Sequence, residues 1–298
     1  MKDHLMSPAF KKIIGIGLLL YSALIMATEH PDEITIGVIP GGNPEQIKKQ
    51  GVALAQELQE SIKIKTNIYI SKDYNTLIEA MKEKKVDFAF LTALSFVYAE
   101  KTAGAKVLLK KVYHDPFYYA ALIVLSKSKI DRFIDLKGKK IAYVDSKSTS
   151  GYLYPKAQLK KMNFSDSDFK EIIYSGNHAQ SVKLLEDEKV DVIAVFADDS
   201  KGAGGAWTSF GKLDKKKYKV LWVSEPVPSD PFTVRQSFYD QYPNTAHLVM
   251  VSIIDIFEKP ENRNKYSDIL GSKTLMPATS RQYDPVRDVI KNLNIQIN

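Results

Sequence analysis

Three hydroxyl side chains stand in a row at Ser148, Thr149 and Ser150, with Gly151 and Tyr152 behind them. The run Lys140-Ile141-Ala142-Tyr143-Val144 before them has the composition of a strand. Tyr152 to Met162 can run on as a helix. A strand that breaks into small hydroxyl residues and then a helix leaves backbone N–H groups unpaired at the turn. Those donors lie at the positive end of the helix dipole, which favours an anion. The hydroxyls add movable donors, and Gly151 permits close approach to the backbone. The chemistry is capture of a phosphate-like oxyanion. The same residues also make an ordinary N-cap, because Ser and Thr are favoured there. The stretch alone leaves both readings open.

The elements that must position it alternate. Ile34 to Ile39 reads as a strand, and Pro40-Gly41-Gly42-Asn43-Pro44 as a turn with Asn43 as N-cap. Ile47, Gly51, Leu54 and Leu58 recur at helical spacing. Thr66 to Ile70 is a second strand, Leu77, Ile78 and Met81 mark a second helix, and Val86 to Phe90 is a third strand. The order then repeats. Ile141 to Val144, the helix after Ser150, Glu171 to Tyr174, a helix through Val182, Leu184 and Leu185, and Val190 to Phe196 form the second set. Both final strands are entered through a Val-Asp pair, Val86-Asp87 and Val190-Asp191. Alternation of this kind predicts an α/β fold with mostly parallel sheets. Two copies predict two similar lobes rather than a solenoid. Tyr118 to Leu125 and Lys219 to Val223 read as the two crossing strands, with a ligand cleft between the lobes. After Pro231 the pattern predicts helices alone, Thr245 to Phe257 and a shorter one near Tyr266 to Leu270. The expected division is 1–27 leader, 28–124 first lobe, 125–223 second lobe, and 224–298 a return to the first lobe with C-terminal helices.

Composition narrows the function classes. Lys11 and Lys12 precede an apolar run from Ile13 to Met26, the pattern of a secretory signal peptide ending near Ala27. An uncleaved anchor is the competing reading. There is no cysteine, which excludes disulfides, thiolate metal sites and a lipid anchor on an N-terminal Cys. The formal net charge of +7 is spread over basic residues scattered among acids, without the aromatic-interleaved basic strip that nucleic acid needs. No nucleic-acid partner, no cofactor and no metal are expected.

The ordered set Asp73-Tyr74, Val86-Asp87, Tyr118, Ser148-Thr149-Ser150-Gly151-Tyr152-Leu153-Tyr154-Pro155, Gly176-Asn177-His178, Val190-Asp191 and Pro228-Ser229-Asp230-Pro231-Phe232 resembles a known family. It is similar to the substrate-binding proteins of bacterial phosphonate, phosphite and phosphate ABC importers, which have a type II periplasmic-binding fold. The resemblance covers roughly 33 to 240. It implies that Ser148, Thr149 and Ser150 hold the phosphonate oxygens, with His178 near the anion and Tyr74 and Tyr118 as phenol donors and cleft walls. Core packing is the competing reading for Tyr118, which sits between Phe117 and Tyr119. His30, His114 and His247 have no counterpart in the pattern. Asp230 matches an acid that meets the ammonium of aminoalkyl phosphonates in part of the family, and Asp198 stands nearest the place of a second acid, a glutamate there. Asp230 also suits a turn in a Pro-flanked loop. The family's Gly before the third-strand loop is Thr92 here.

The resemblance implies a periplasmic, monomeric, non-enzymatic receptor that captures a small oxyanion (phosphonate, phosphite or phosphate) and docks on an ABC permease in the inner membrane. A sensor of the same fold and a small-molecule enzyme on that fold are the alternatives. The sequence holds no nucleophile–base–orienter set.

Overall fold

The computed structural model describes residues 30–39, 44–113 and 115–297. The leader at 1–27, the turn Pro40 to Asn43 and His114 lie outside the described residues. The first sheet opens with β1 (Glu33–Val38), helix α1 (Pro44–Ile62), β2 (Lys65–Ile70), helix α2 (Tyr74–Lys82) and β3 (Phe88–Phe90). β1 pairs in parallel with β2 and β3, as strand–helix–strand order demands. Helix α3 (Ala93–Ala103) and β4 (Ala105–Val112) follow.

The chain then crosses into a second sheet through β5 (Phe117–Leu125), continues as β6 (Lys140–Tyr143), a π-helical turn at Thr149–Leu153, helix α4 (Tyr154–Lys161), β7 (Glu171–Tyr174), helix α5 (His178–Glu186) and β8 (Val192–Ala197), and leaves through β9 (Tyr218–Val223) and β10 (Val227–Pro228). It returns to the first sheet as β11 (Pro231–Arg235). With β12 (Thr274–Pro277) at one edge, the strand orders are β12-β4-β11-β3-β1-β2 and β10-β5-β8-β6-β7, with β9 on β5.

This moves both expected crossings. β5 pairs with β8, β9 and β10 along its length, so the first change of lobe falls at 113–116 rather than at 125. The return falls at 229–230 rather than at 224.

The end of the chain is not helical throughout. Helix α6 (Pro243–Glu258) packs on α1, but β12 (Thr274–Pro277) adds an edge strand to β4, and a terminal helix α7 (Asp284–Asn292) follows Tyr283. Helix α7 touches α3 of the first lobe and α4, β10 and the π-helical turn of the second. Tyr283, wholly buried, donates its hydroxyl to the carbonyl of Ser229 at 2.9 Å, in the segment where the chain returns. The C-terminal segment thus straps the two lobes.

The repeated Val-Asp pairs do the same work in each lobe. Asp87 accepts the Thr35 backbone N–H at 2.9 Å, and Asp191 accepts the Lys140 N–H at 2.8 Å. Each carboxylate thus satisfies a donor at the start of the neighbouring parallel strand, which the ladder leaves unpaired. The turns before them match too, with Lys84 and Glu188 both left-handed at φ 62° and 53°. Among the described residues no helix is long and apolar enough to cross a membrane.

Candidate functional site

The site is built from helix starts. Asp73 caps α2 by accepting the Thr76 N–H, which places Tyr74 at the first helical position. Asn177 caps α5 in the same way through Gln180, which places His178 first. Tyr74 and His178 are therefore equivalent positions in the two lobes. Both line one cavity of about 420 Å³ between the lobes.

Helix α4 does not begin where periodicity puts it. Its first turn is π-helical: Leu153 N–H reaches the Ser148 carbonyl and Tyr154 N–H the Thr149 carbonyl. Pro155 lacks the N–H that an α-helix would give to the Gly151 carbonyl. The Val144 N–H takes that carbonyl instead, at 3.0 Å, and ties the turn to the end of β6. A Cβ on Gly151 would lie 2.5 Å from Val144 Cγ2 and 2.8 Å from Ser148 Oγ. Gly151 is therefore needed for packing the turn, and it is not among the cavity-lining residues.

The three hydroxyls part company. Ser148 is an N-cap, accepting the Gly151 N–H at 3.1 Å, and it also lines the cavity. Ser150 lines the cavity as well. Thr149 does not. Its hydroxyl accepts the Leu94 N–H at 2.8 Å, across the lobe boundary. Thr92 and Ser95 add to this latch by donating their hydroxyls to the Lys147 carbonyl at 3.1 and 3.2 Å, and the Lys147 ammonium sits 3.5 Å from the centre of the Tyr98 ring. Thr92, where the family pattern has Gly, thus caps α3 and bridges the lobes.

Tyr74, Tyr118, Asp230 and Asp198 complete the expected set, and all line the cavity. The Ser148 hydroxyl neighbours the Tyr74 phenol, and those of Thr149 and Ser150 neighbour the Tyr118 phenol. Burial pushes both phenols well above their ordinary range, so they stay protonated donors. Burial holds His178 down to about 4, so its ring is neutral near pH 7. Its Nδ1 is buried without a partner, while the rest of the residue is part-exposed. Asp230 is raised by burial, against the lowering effects of Lys111, the Tyr118 hydroxyl and the Ala93 N–H.

Sequence reasoning missed several walls. Tyr113, Lys111 and Phe90 come from the first lobe, Phe196, Ser209 and Phe210 from the second, and Ser267, Ile269 and Gly271 from the C-terminal segment. Lys111 carried a signal: two adjacent lysines, Lys110 and Lys111, interrupt the apolar stretch of β4. Successive strand residues point to opposite faces, so one of the two must point inward. Among the described residues no group of three or more His, Asp or Glu side chains could hold a metal ion.

A family model described as "ABC transporter, phosphonate, periplasmic substrate-binding protein" matches residues 36–283. The Phosphonates-binding periplasmic protein of Escherichia coli is 29% identical over 294 residues, covering 95% of this chain and 82% of that one. The Phosphate-import protein of Mycolicibacterium smegmatis is 27% identical over 276 residues, covering 87% and 85%. A solved structure from Prochlorococcus marinus in complex with methylphosphonate superposes with a TM-score of 0.76 at 18% identity, covering 89% of this chain and 99% of that one. With its two α/β lobes and a hydroxyl-lined cavity between them, the chain belongs to the periplasmic substrate-binding proteins of phosphonate ABC transporters.

Proposed function

We propose that this chain holds a small phosphonate-like oxyanion in the interlobe cavity, closes on it, and delivers it to an ABC permease in the inner membrane. The observation that carries the reading is convergence. Ser148, Ser150 and His178 from the second sheet's side and Tyr74 from the first meet Tyr118 around one cavity. Neutral donors of this kind take an oxyanion without bringing counter-charge of their own. Thr149 serves indirectly, by latching the turn to α3. Asp230 and Asp198 set what else the ligand carries. The protein is read as a receptor and not an enzyme, because the cavity pairs no nucleophile with a base that a third group orients. Removal of the leader at 1–27 releases it into the periplasm, where we read it as acting as a monomer.

The reading is tested by calorimetry on protein lacking residues 1–27, titrated with methylphosphonate, ethylphosphonate, phosphite, phosphate, sulfate and ethanesulfonate. Saturable binding of at least one phosphorus oxyanion is expected. A protein that binds none of them, or only the sulfur compounds, contradicts it. N-terminal sequencing of the exported product checks the leader. Met1 retained on a membrane-bound product would show an anchor.

A further inference from the structure

Asp230 has a place in the family pattern described above, but the lysine beside it in the cavity, Lys111, has none. Lys111 lies on β4 and Asp230 immediately before β11, and the two are cross-strand neighbours, with the Lys111 N–H donating to the Asp230 carbonyl at 3.0 Å. Opposed residues of antiparallel neighbours share a face of the sheet, so both side chains stand on the same side. Lys111 Nζ stands 3.9 Å from Asp230 Oδ2, donates to the Ile269 carbonyl at 3.1 Å, and lies 6.0 Å from the centre of the Phe90 ring. The side chains are only 11% and 20% exposed. Lys111 is the only lysine or arginine among the described residues that line the cavity.

An ammonium has three donors. One is given to Ile269 and another is directed, loosely, at Asp230. At 3.9 Å the pair is beyond hydrogen-bond distance, and although the Tyr118 hydroxyl and the Ala93 N–H also act on the Asp230 carboxylate, its Oδ1 is buried with no hydrogen-bond partner. The pair is thus incompletely satisfied within the protein, at the wall of a cavity whose other cation candidate, His178, is neutral. An incompletely satisfied buried charge favours a ligand that completes its shell.

We propose that Lys111 is a specificity-determining ligand contact: it neutralises Asp230 from within the protein and donates to the bound oxyanion, so the site accepts phosphonates that carry no ammonium group. An acid in the place of Asp230, without an internal cation, would demand that ammonium from the ligand. Here the protein supplies it. The inference rests on the reading of this cavity as an oxyanion site and names the ligand class within it.

The test compares ethylphosphonate with 2-aminoethylphosphonate, which differ by the ammonium alone. Calorimetry is run on wild type, Lys111→Met and the charge-balanced Lys111→Met/Asp230→Asn. Wild type binds ethylphosphonate at least as tightly as its amino analogue. Lys111→Met exposes the acid, and the affinity ratio moves toward the amino ligand by at least about tenfold, the worth of one charge-assisted contact. The double variant, which keeps no unpaired charge if the single one folds poorly, loses at least about tenfold in ethylphosphonate affinity, because the donor is gone. A purely structural ion pair predicts no such loss in the balanced variant. The inference is overturned if wild type favours the amino ligand by about tenfold or more, if the ratio in folded Lys111→Met stays within about twofold of wild type, or if the double variant binds ethylphosphonate as wild type does. Wild type that binds neither compound but takes phosphite or phosphate overturns this inference alone, and wild type that binds no phosphorus oxyanion overturns the oxyanion reading with it.

Discussion

At the scale of single residues, the hydroxyl run divides its labour, and its spacing hid this. Ser148 and Ser150 point into the cavity while Thr149 points across to α3. In the proposed function, replacing Ser148 and Ser150 together by Ala removes two hydrogen bonds to a charged oxygen, each worth about 1.5–3 kcal/mol. Affinity for the best phosphorus oxyanion should fall by at least about a hundredfold, read by calorimetry. An unchanged affinity would show that the hydroxyls serve the turn alone. His178 gives a pH dependence. Its folded value is near 4 against 6.5 for an unhindered imidazole. Between those values the unfolded chain binds more protons, so stability falls as pH falls through that window. The residue is partly open to solvent, which screens it, so the loss from this residue between pH 7 and pH 5 should be about 1–2 kcal/mol. Urea unfolding at both pH values should show a smaller loss in His178→Asn, and equal losses in the two proteins would refute the assignment. That Tyr74, Tyr118 and His178 line the cavity was legible because they occupy motif positions, two of them directly after a helix cap and one at the start of β5. Lys111 was harder to read, because a lysine in a strand is ordinarily a solvated one.

At the scale of elements, sequence periodicity marks strands and helices that bury one stripe and misses those fixed by neighbours. The parallel units around β1 and β6 were readable from alternation and from their Val-Asp signatures. β4, β11 and β12 were not. β11 is five residues behind a Pro-rich stretch, and β12 is a four-residue edge strand that ends in Pro. Their strand character comes from pairing with β3 and β4, a tertiary effect that local composition does not encode. Helix α7 was missed although its charges and apolar residues segregate strongly and Asp284-Pro285 opens it with an acid and a proline in the first turn. The two Val-Asp pairs separate local from long-range roles. Asp87 also holds the buried guanidinium of Arg235 at 2.7 Å, whereas no such arginine contact is made by Asp191 among the described residues. Asp87→Ala strands a buried cation and should cost about 3–5 kcal/mol, against about 1–2 kcal/mol for Asp191→Ala. Urea denaturation reads both, and equal costs would contradict the separation. Gly151→Ala forces a Cβ against Val144 and the Ser148 hydroxyl, and should destabilise by about 1–3 kcal/mol while weakening ligand binding. Normal stability and normal affinity together would show that the turn is not held as described.

At the scale of the molecule, two similar lobes meet around the cavity, latched on one side through Thr149 and Lys147 and strapped by the C-terminal segment through Tyr283 and α7. A ligand held by both lobes stabilises the closed arrangement over the open and unfolded ones by mass action. Where the chain passes between lobes was legible only to within a strand, because β5 and β9 look apolar from either side. Oxyanion binding in this cavity is read out by the thermal unfolding of leader-free protein with and without ethylphosphonate at a hundred times its dissociation constant. Stabilisation of about 2.7 kcal/mol is expected, seen as a rise of a few degrees that is abolished in Ser148→Ala/Ser150→Ala. No rise with any phosphorus oxyanion at millimolar concentration, or an equal rise in the double variant, would contradict the account.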